Sequence, residues 1–213
     1  MPTSVPTANR FERRRAATRK ALVDAARQIL AETGETGVSI QVIADRADVG
    51  FGSFYNHFES KAQLFDAAVS DALEEFGQAI DEQLRETDDP AELVAAGFRL
   101  TARMADSHPD LMRILRHRGL AHIHSDKGSA PRARRDLERG IATGRFARVD
   151  PTVALSALGG TLLSLVELRF SRPDLDGEEA AASLAEMALR MLGLSDAEAR
   201  EIARRPLPSG VGG

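Results

Sequence analysis

Two groups of residues in this chain carry side chains suited to chemistry or recognition. The first is Gly50, Phe51, Gly52, Ser53, Tyr55, Asn56 and His57, which gathers hydroxyl, amide and imidazole groups around small glycines. Such groups hydrogen-bond to base edges and phosphates, and a glycine lets a duplex approach the backbone. The second is His108, His117, His122 and His124, with Asp126 close by. His122 and His124 offer half of a metal site, but no third ligand follows at a helical spacing and the HExxH pattern is missing. These histidines read as solvated loop side chains, so no metal site is assigned. The sequence contains no nucleophile elbow, phosphate-binding glycine loop or dinucleotide fingerprint. The acid pairs Glu74-Glu75 and Glu178-Glu179 read as solvated helix faces. No catalytic residue and no cofactor are expected, and the chain is not read as an enzyme.

The first group needs a scaffold, and the surrounding sequence supplies one. Ser39 is a good N-cap, and Ile40, Ile43 and Ala44 follow at helical spacing. Ala47-Asp48-Val49-Gly50 breaks the pattern with a tight turn, in which Asp48 takes the left-handed conformation. A second short helix is predicted over 51–58, with Phe54 and Phe58 four apart on its buried face. This is a helix-turn-helix. The bland alternative is a pair of packed surface helices with no nucleic-acid role.

The run Ile43-Ala44, Val49-Gly50-Phe51-Gly52-Ser53-Phe54-Tyr55-Asn56-His57-Phe58, Ser60-Lys61 and Leu64 resembles the DNA-binding head of the tetracycline-repressor family. That head has a common pattern of roughly IAxxAGVxxGTxYxHFxxKxxL. The likeness extends from Ala16 to about Ala79. Asp48 departs from it, where the family usually has glycine. The resemblance implies an all-α homodimer, with a small-molecule pocket within helices five to eight and a dimer interface on the last two long helices.

Composition agrees with a soluble globular protein of one or two domains: 213 residues, 43% hydrophobic, 28% charged and no cysteine. Without cysteine there is no disulfide framework and no thiolate chemistry. The N-terminus lacks an apolar signal core, so a cytoplasmic location is the expectation. The net charge of −4 is unevenly spread. Arg10, Arg13, Arg14, Arg15, Arg19, Lys20 and Arg27 face only Glu12 and Asp24 in residues 1–30, and such a local basic patch suffices to find phosphates. Cations at a helix start oppose the helix dipole, a conflict that a neighbouring phosphate backbone removes.

The expected domains are a disordered basic arm (1–11), a helix-turn-helix domain (12–80), a ligand-binding and dimerisation domain (81–205) and a flexible tail (206–213). Helices are predicted at about 12–33, 61–84, 90–107, from Pro109, 131–144, 151–171 and 177–193, with a short one after Ser195. The connection 119–131 reads as a loop. Nine to ten helices result. The fourth spans on the order of 35 Å, long enough to tie the head mechanically to the second domain. Asp89 with Glu92 and Asp176 with Glu179 read as capping boxes.

The DNA contacts expected are Arg14, Arg15, Ser39, Gln41, Gly50, Phe51, Gly52, Ser53, Tyr55, Asn56, His57 and Lys61. Tyr55, Gln41 and Lys61 are placed at phosphates, and Gly52, Ser53 and Asn56 nearer base edges. Gly97 in mid-helix, Phe98, Met104 and Met112 point to a cavity, and the pocket set adds Thr101, Leu111, Leu115 and Phe146. The segment 151–171 is apolar nearly all round, which calls for burial on most sides. Ser156, Thr161, Ser164 and Glu167 argue against a membrane span, so a partner chain is inferred. Its interface is assigned to Leu158, Leu162, Leu165, Val166, Arg169, Leu184, Met187, Ala188 and Met191. The functional expectation is a ligand-responsive regulator, most simply a repressor, that binds a palindromic double-stranded DNA operator and is released by a small, largely apolar effector. The rival is a ligand-binding or scaffolding dimer that does not read DNA.

Overall fold

The computed structural model describes residues 10–207. Among them all regular structure is helical: α1 (Arg10–Thr33), α2 (Ile40–Arg46), α3 (Phe51–Tyr55), α4 (Lys61–Leu84), α5 (Pro90–Ser107), α6 (Pro109–Arg118), a 3-10 turn (Gly119–His122), α7 (Ala130–Ala142), α8 (Pro151–Ser171), α9 (Gly177–Met191) and α10 (Asp196–Ala203). The chain divides into two compact units, Met1–Val69 and Ser70–Gly213. The division falls inside α4, earlier than the boundary drawn at 80/81 from sequence.

In the first unit α1, α2, α3 and the start of α4 close over Leu22, Ile29, Leu30, Ile43, Phe54 and Leu64, all at most 2% exposed. Ser39 caps α2, its hydroxyl accepting from the Val42 amide at 3.2 Å. Asp48 turns the chain with φ 53°, the only non-glycine with positive φ among the described residues. Lys61 sits at the start of α4 and donates to the carbonyls of Val38 (2.7 Å) and Gly37 (3.3 Å), which fixes the approach to α2.

The second unit is built on α5, which packs along α9 and against α8 and α10. Phe98, Leu137, Phe146, Leu155, Leu165, Leu189 and Ile202 form its core. Asp89, Asp150, Asp176 and Ser195 each cap their helix through the side chain. The predicted reciprocal halves of two boxes do not form: Glu92 pairs with Arg205, and Glu179 with Arg204. A charged partner outcompetes a backbone amide for a flexible carboxylate. Arg145 joins Asp89 (2.8 Å) to Glu198 (2.6 Å), tying the start of α5 to α10.

Several boundaries differ from expectation. The helix placed at 12–33 begins at Arg10, so positions 10 and 11 are helical; the rest of the expected arm, 1–9, lies outside the described residues, as do 208–213 of the expected tail. The helix expected over 51–58 ends at Tyr55, with Asn56 as C-cap. His57 and Phe58 continue as a turn whose amides both donate to the Phe54 carbonyl at 3.0 Å, which buries Phe58 without a further helical turn. The helix placed at 131–144 runs from Ala130 to Ala142, and Gly144 at φ 73° reverses the chain behind it. The 119–131 loop opens with a 3-10 turn.

Asp48 gives a direct test of the turn. An alanine held at that φ is strained where glycine is not. Asp48→Ala should therefore lower unfolding free energy by about 1 kcal/mol in urea titration, while Asp48→Gly should not.

Candidate DNA-reading face and effector cavity

In the first unit, α3 presents one face outward. Phe51 is 47% and Tyr55 57% exposed, while Phe54 between them is fully buried. Tyr55 is gripped edge-on by both phenylalanines, with ring centroids 5.9 Å from Phe51 and 5.3 Å from Phe54. This fixes the ring and leaves its hydroxyl at the rim. Gly50, Gly52 and Asn56 are exposed, and Ser53 and His57 half-exposed, on the same short segment. A Cβ on Gly52 would meet nothing within 4 Å, so the surface there is open. Burial first, and then the positive charges of Arg15 and Arg19, lower the His57 pKa and favour its neutral imidazole. The basic side of α1 therefore reaches the turn that follows α3. Arg19 also lies 5.1 Å above the Phe58 ring. Arg14 is exposed on α1. Gln41 is exposed at the start of α2 and donates to Asp45 at 2.6 Å. Ser39 and Lys61 are engaged in the local contacts already described. Arg19, omitted from the sequence-based set, belongs with this surface. Its spacing of four from Arg15 on α1 was the available signal.

The second unit holds a half-open cavity of about 630 Å³, lined from α4, the α4–α5 connection, α5, α7, α8, the end of α6 and the 3-10 turn. Gly97, Phe98 and Leu115 line it. Thr101, Met104, Leu111, Met112 and Phe146 do not: all five are buried in the packed interior instead. The Phe146 ring covers Gly140, where a Cβ would lie 2.2 Å from it, and its backbone amide donates to the Gly140 carbonyl at 3.0 Å. The Thr101 hydroxyl is used within α5, donating to the Gly97 carbonyl at 2.7 Å.

The cavity's polar side was not anticipated. Arg132 donates to Asp81 through Nε (2.6 Å), to Glu74 through Nη2 (2.6 Å) and to the Gly128 carbonyl through Nη1 (2.6 Å). Its guanidinium lies across Gly77, where a Cβ would be 2.8 Å from Nη1. Hydrogen bonds from Arg132 hold the Glu74 carboxyl at a pKa of about 2. One helical turn along α7, Arg135 pairs with Asp136 at 3.1 Å, and its pKa is raised first by that bond and also by the charge of Asp81. Asp81, Arg132, Arg135 and Asp136 thus form one charged cluster in the cavity wall. Asp81 meets Arg132 through Oδ2, which leaves Oδ1 as an acceptor. The i, i+3, i+4 spacing of the three α7 members was visible in sequence, but their partner on α4 was not.

The residues assigned to a dimer face separate into distinct environments. Leu165, Val166 and Ala188 are fully buried within the chain and cannot form an outer surface. Leu158 and Leu162 line the cavity, and Leu184 packs on the core. The Arg169 side chain is mostly buried and pairs with Asp106 at 2.9 Å. Met187 and Met191 are exposed, 56% and 52%, and Val153 on α8 is 65% exposed. A period-3.6 pattern in an almost wholly apolar helix cannot show which side is inward, since every side qualifies. By length and composition α8 is apolar enough to cross a membrane, yet it packs against α5, α6, α7 and α9.

The histidines are dispersed. His122 Nδ1 is 3.0 Å from the Arg118 carbonyl, His124 Nε2 2.8 Å from the Ser156 hydroxyl, and His108 Nδ1 2.8 Å from the Ser107 hydroxyl. Among the described residues no three His, Asp or Glu side chains group as metal ligands.

Comparison with known proteins places this architecture. Residues 22–68 match the family described as bacterial regulatory proteins, tetR family, and residues 89–205 match the tetracyclin repressor-like C-terminal domain. The chain is similar to RolR, solved in complex with resorcinol: 36% identity over 92% of this chain and 98% of that one, TM-score 0.64. RolR without ligand gives 36% identity over 90% and 98%, TM-score 0.65. A TetR family transcription regulator from Marinobacter aquaeolei VT8 shares the fold at 18% identity, covering 84% of this chain and 96% of that one, TM-score 0.66. No match was found among curated proteins. The chain belongs to the tetracycline-repressor family and is a ligand-responsive transcriptional regulator. Members of this family act as regulators, not as enzymes.

The depressed Glu74 pKa gives a test with a fixed sign. A carboxyl at about 2 when folded, against an ordinary value of 4.5, contributes stability above 4.5 that is lost as pH falls toward 2. Glu74→Gln should flatten the decline of the urea midpoint across that window and leave the slope above pH 5 unchanged.

Proposed function

We propose that this protein is a cytoplasmic, homodimeric repressor that leaves its palindromic operator when a small hydroxylated aromatic enters the cavity of the second unit. The observation that carries the effector class is the cluster of Asp81, Arg132, Arg135 and Asp136 set beside the leucines of one cavity. A carboxylate accepts from a phenolic hydroxyl and a guanidinium donates to its oxygen, while the ring needs apolar walls. The likeness to RolR, whose ligand is resorcinol, supports the same reading. Ligand groups that compete for Asp81 and Arg132 act directly on α4, the helix common to both units. A ligand shifts an equilibrium only through such differential contacts.

For DNA, α3 is the reading helix in this proposal: Gly52, Ser53 and Asn56 at base edges, and Tyr55, Arg14, Arg15 and Arg19 at phosphates. Tyr55 is the chain's one tyrosine and there is no tryptophan, so intrinsic emission reports from this face. Adding operator should change that emission, and salt should reverse it with a log–log slope of about −0.9 per neutralised phosphate. Tyr55→Phe should weaken operator and random DNA alike by about 1 kcal/mol, the size of one hydrogen bond. Asn56→Ala should instead narrow the ratio between them. Emission that ignores a DNA fragment the protein binds would remove α3 from the interface. Asp81→Ala should raise the resorcinol concentration needed for operator release by roughly tenfold or more, the loss of one charge-assisted hydrogen bond.

For assembly, the open faces of α8 and α9 are the interface: Val153, Ala157, Gly160 and Ser164 beside Met187 and Met191. Nothing lies within 4 Å of a Cβ built on Gly160, so a second backbone can approach there. Met187→Arg with Val153→Glu should yield a folded monomer by sedimentation, whereas Leu165→Arg should unfold the chain. A monomeric wild type at micromolar concentration defeats this arrangement.

A further inference from the structure

The cavity is much larger than the ring that the proposed function places in it. A cavity of about 150 Å³ already admits benzene, and this one holds about 630 Å³. Its charged cluster is supplied by α4 and α7 alone. Away from that cluster α6 and α8 bring Leu115, Leu155, Leu158, Leu162 and Leu163 to the cavity, and the 3-10 turn and its C-cap bring His122 and Ile123. Four glycines line it, and two of them border this wall. A Cβ on Gly97 would meet nothing within 4 Å, so α5 leaves open volume there, and one on Gly159 would press to 3.1 Å against Ile123. A resorcinol-sized molecule on Asp81 and Arg132 would leave most of this leucine-lined volume uncovered.

We infer that the effector is an alkylated dihydroxybenzene: the hydroxylated ring meets Asp81 and Arg132, and an apolar chain runs past Gly97 along the leucine wall. This rests on the reading of the cavity as the effector site. The chain needs no polar end, because the side chains it follows are the leucines of α8, not His122. Each methylene moved from water into such a wall contributes roughly a fourfold gain in affinity.

Calorimetry on the full-length protein with resorcinol and with 5-pentylresorcinol tests this directly. The pentyl compound should bind at least tenfold more tightly to the wild type. Gly97→Leu, which fills the open volume, should abolish that gain while still binding resorcinol; Gly97→Ala, with its melting temperature, serves as the folded control and should keep most of the gain. Equal binding of the two compounds, or tighter binding of resorcinol, overturns the alkyl extension and leaves the effector site standing if Asp81→Ala still loses resorcinol. A pentyl gain that survives in folded Gly97→Leu overturns the path assigned to the chain. If neither compound binds a protein that still holds its operator, the effector reading itself fails, and this inference with it.

Discussion

The guanidinium of Arg132 is the contact on which the second unit's cavity depends. It bonds simultaneously to Glu74 and Asp81 on α4 and to the Gly128 carbonyl ahead of α7. It can do so only because Gly77 leaves the surface of α4 bare beneath it. Gly128 makes the matching concession with φ 74°, its backbone set against Leu73. Two glycines and one arginine therefore bring a helix start close to another helix. The consequence is a polar seam along a cavity that leucines of α4, α5, α6 and α8 line on its apolar side. Bonds between charged groups are stronger than neutral ones in such a partly enclosed setting, and more costly to leave half made. An effector that takes over part of that network must supply equivalent hydrogen bonds, and this is what makes the seam selective.

The same economy appears in the head. Lys61, expected at a phosphate, spends its ammonium on the carbonyls of Gly37 and Val38 and so sets the start of α4 against the approach to α2. A lysine with three donors can hold two carbonyls and retain one. The reading face itself is firm because aromatic packing, not a hydrogen bond, holds Tyr55. Phe51 is the exposed half of that grip, and its own exposure is the cost of fixing its neighbour.

Much of this architecture was legible in the sequence, for identifiable reasons. Asp and Ser caps followed by proline or by apolar spacing located the starts of α2, α5, α8, α9 and α10. The exposed side of α3 followed from Phe54 and Phe58 being four apart. What was not legible depends on contacts remote in sequence. Asp81 and Arg132 meet across 51 positions, and neither residue type in isolation marks a cavity. Met104 and Met112 resemble cavity residues in softness, but they fill the core instead. In α8 the apolar residues run all round, so Leu165 and Val166 could not be told from Val153 by pattern. Only packing divides them.

The adjacent glycines of α8 show how that division constrains change. Gly159 faces Ile123 and the cavity, while Gly160 faces open space. Successive residues on a helix point about 100° apart, since 3.6 complete a turn. Inserting or deleting one residue early in α8 would thus rotate the remainder by that angle and exchange inner wall for outer face along its whole length. Substitutions can retune the chamber or the outer surface separately, one side chain at a time. Changes of length cannot, because each one moves both faces at once.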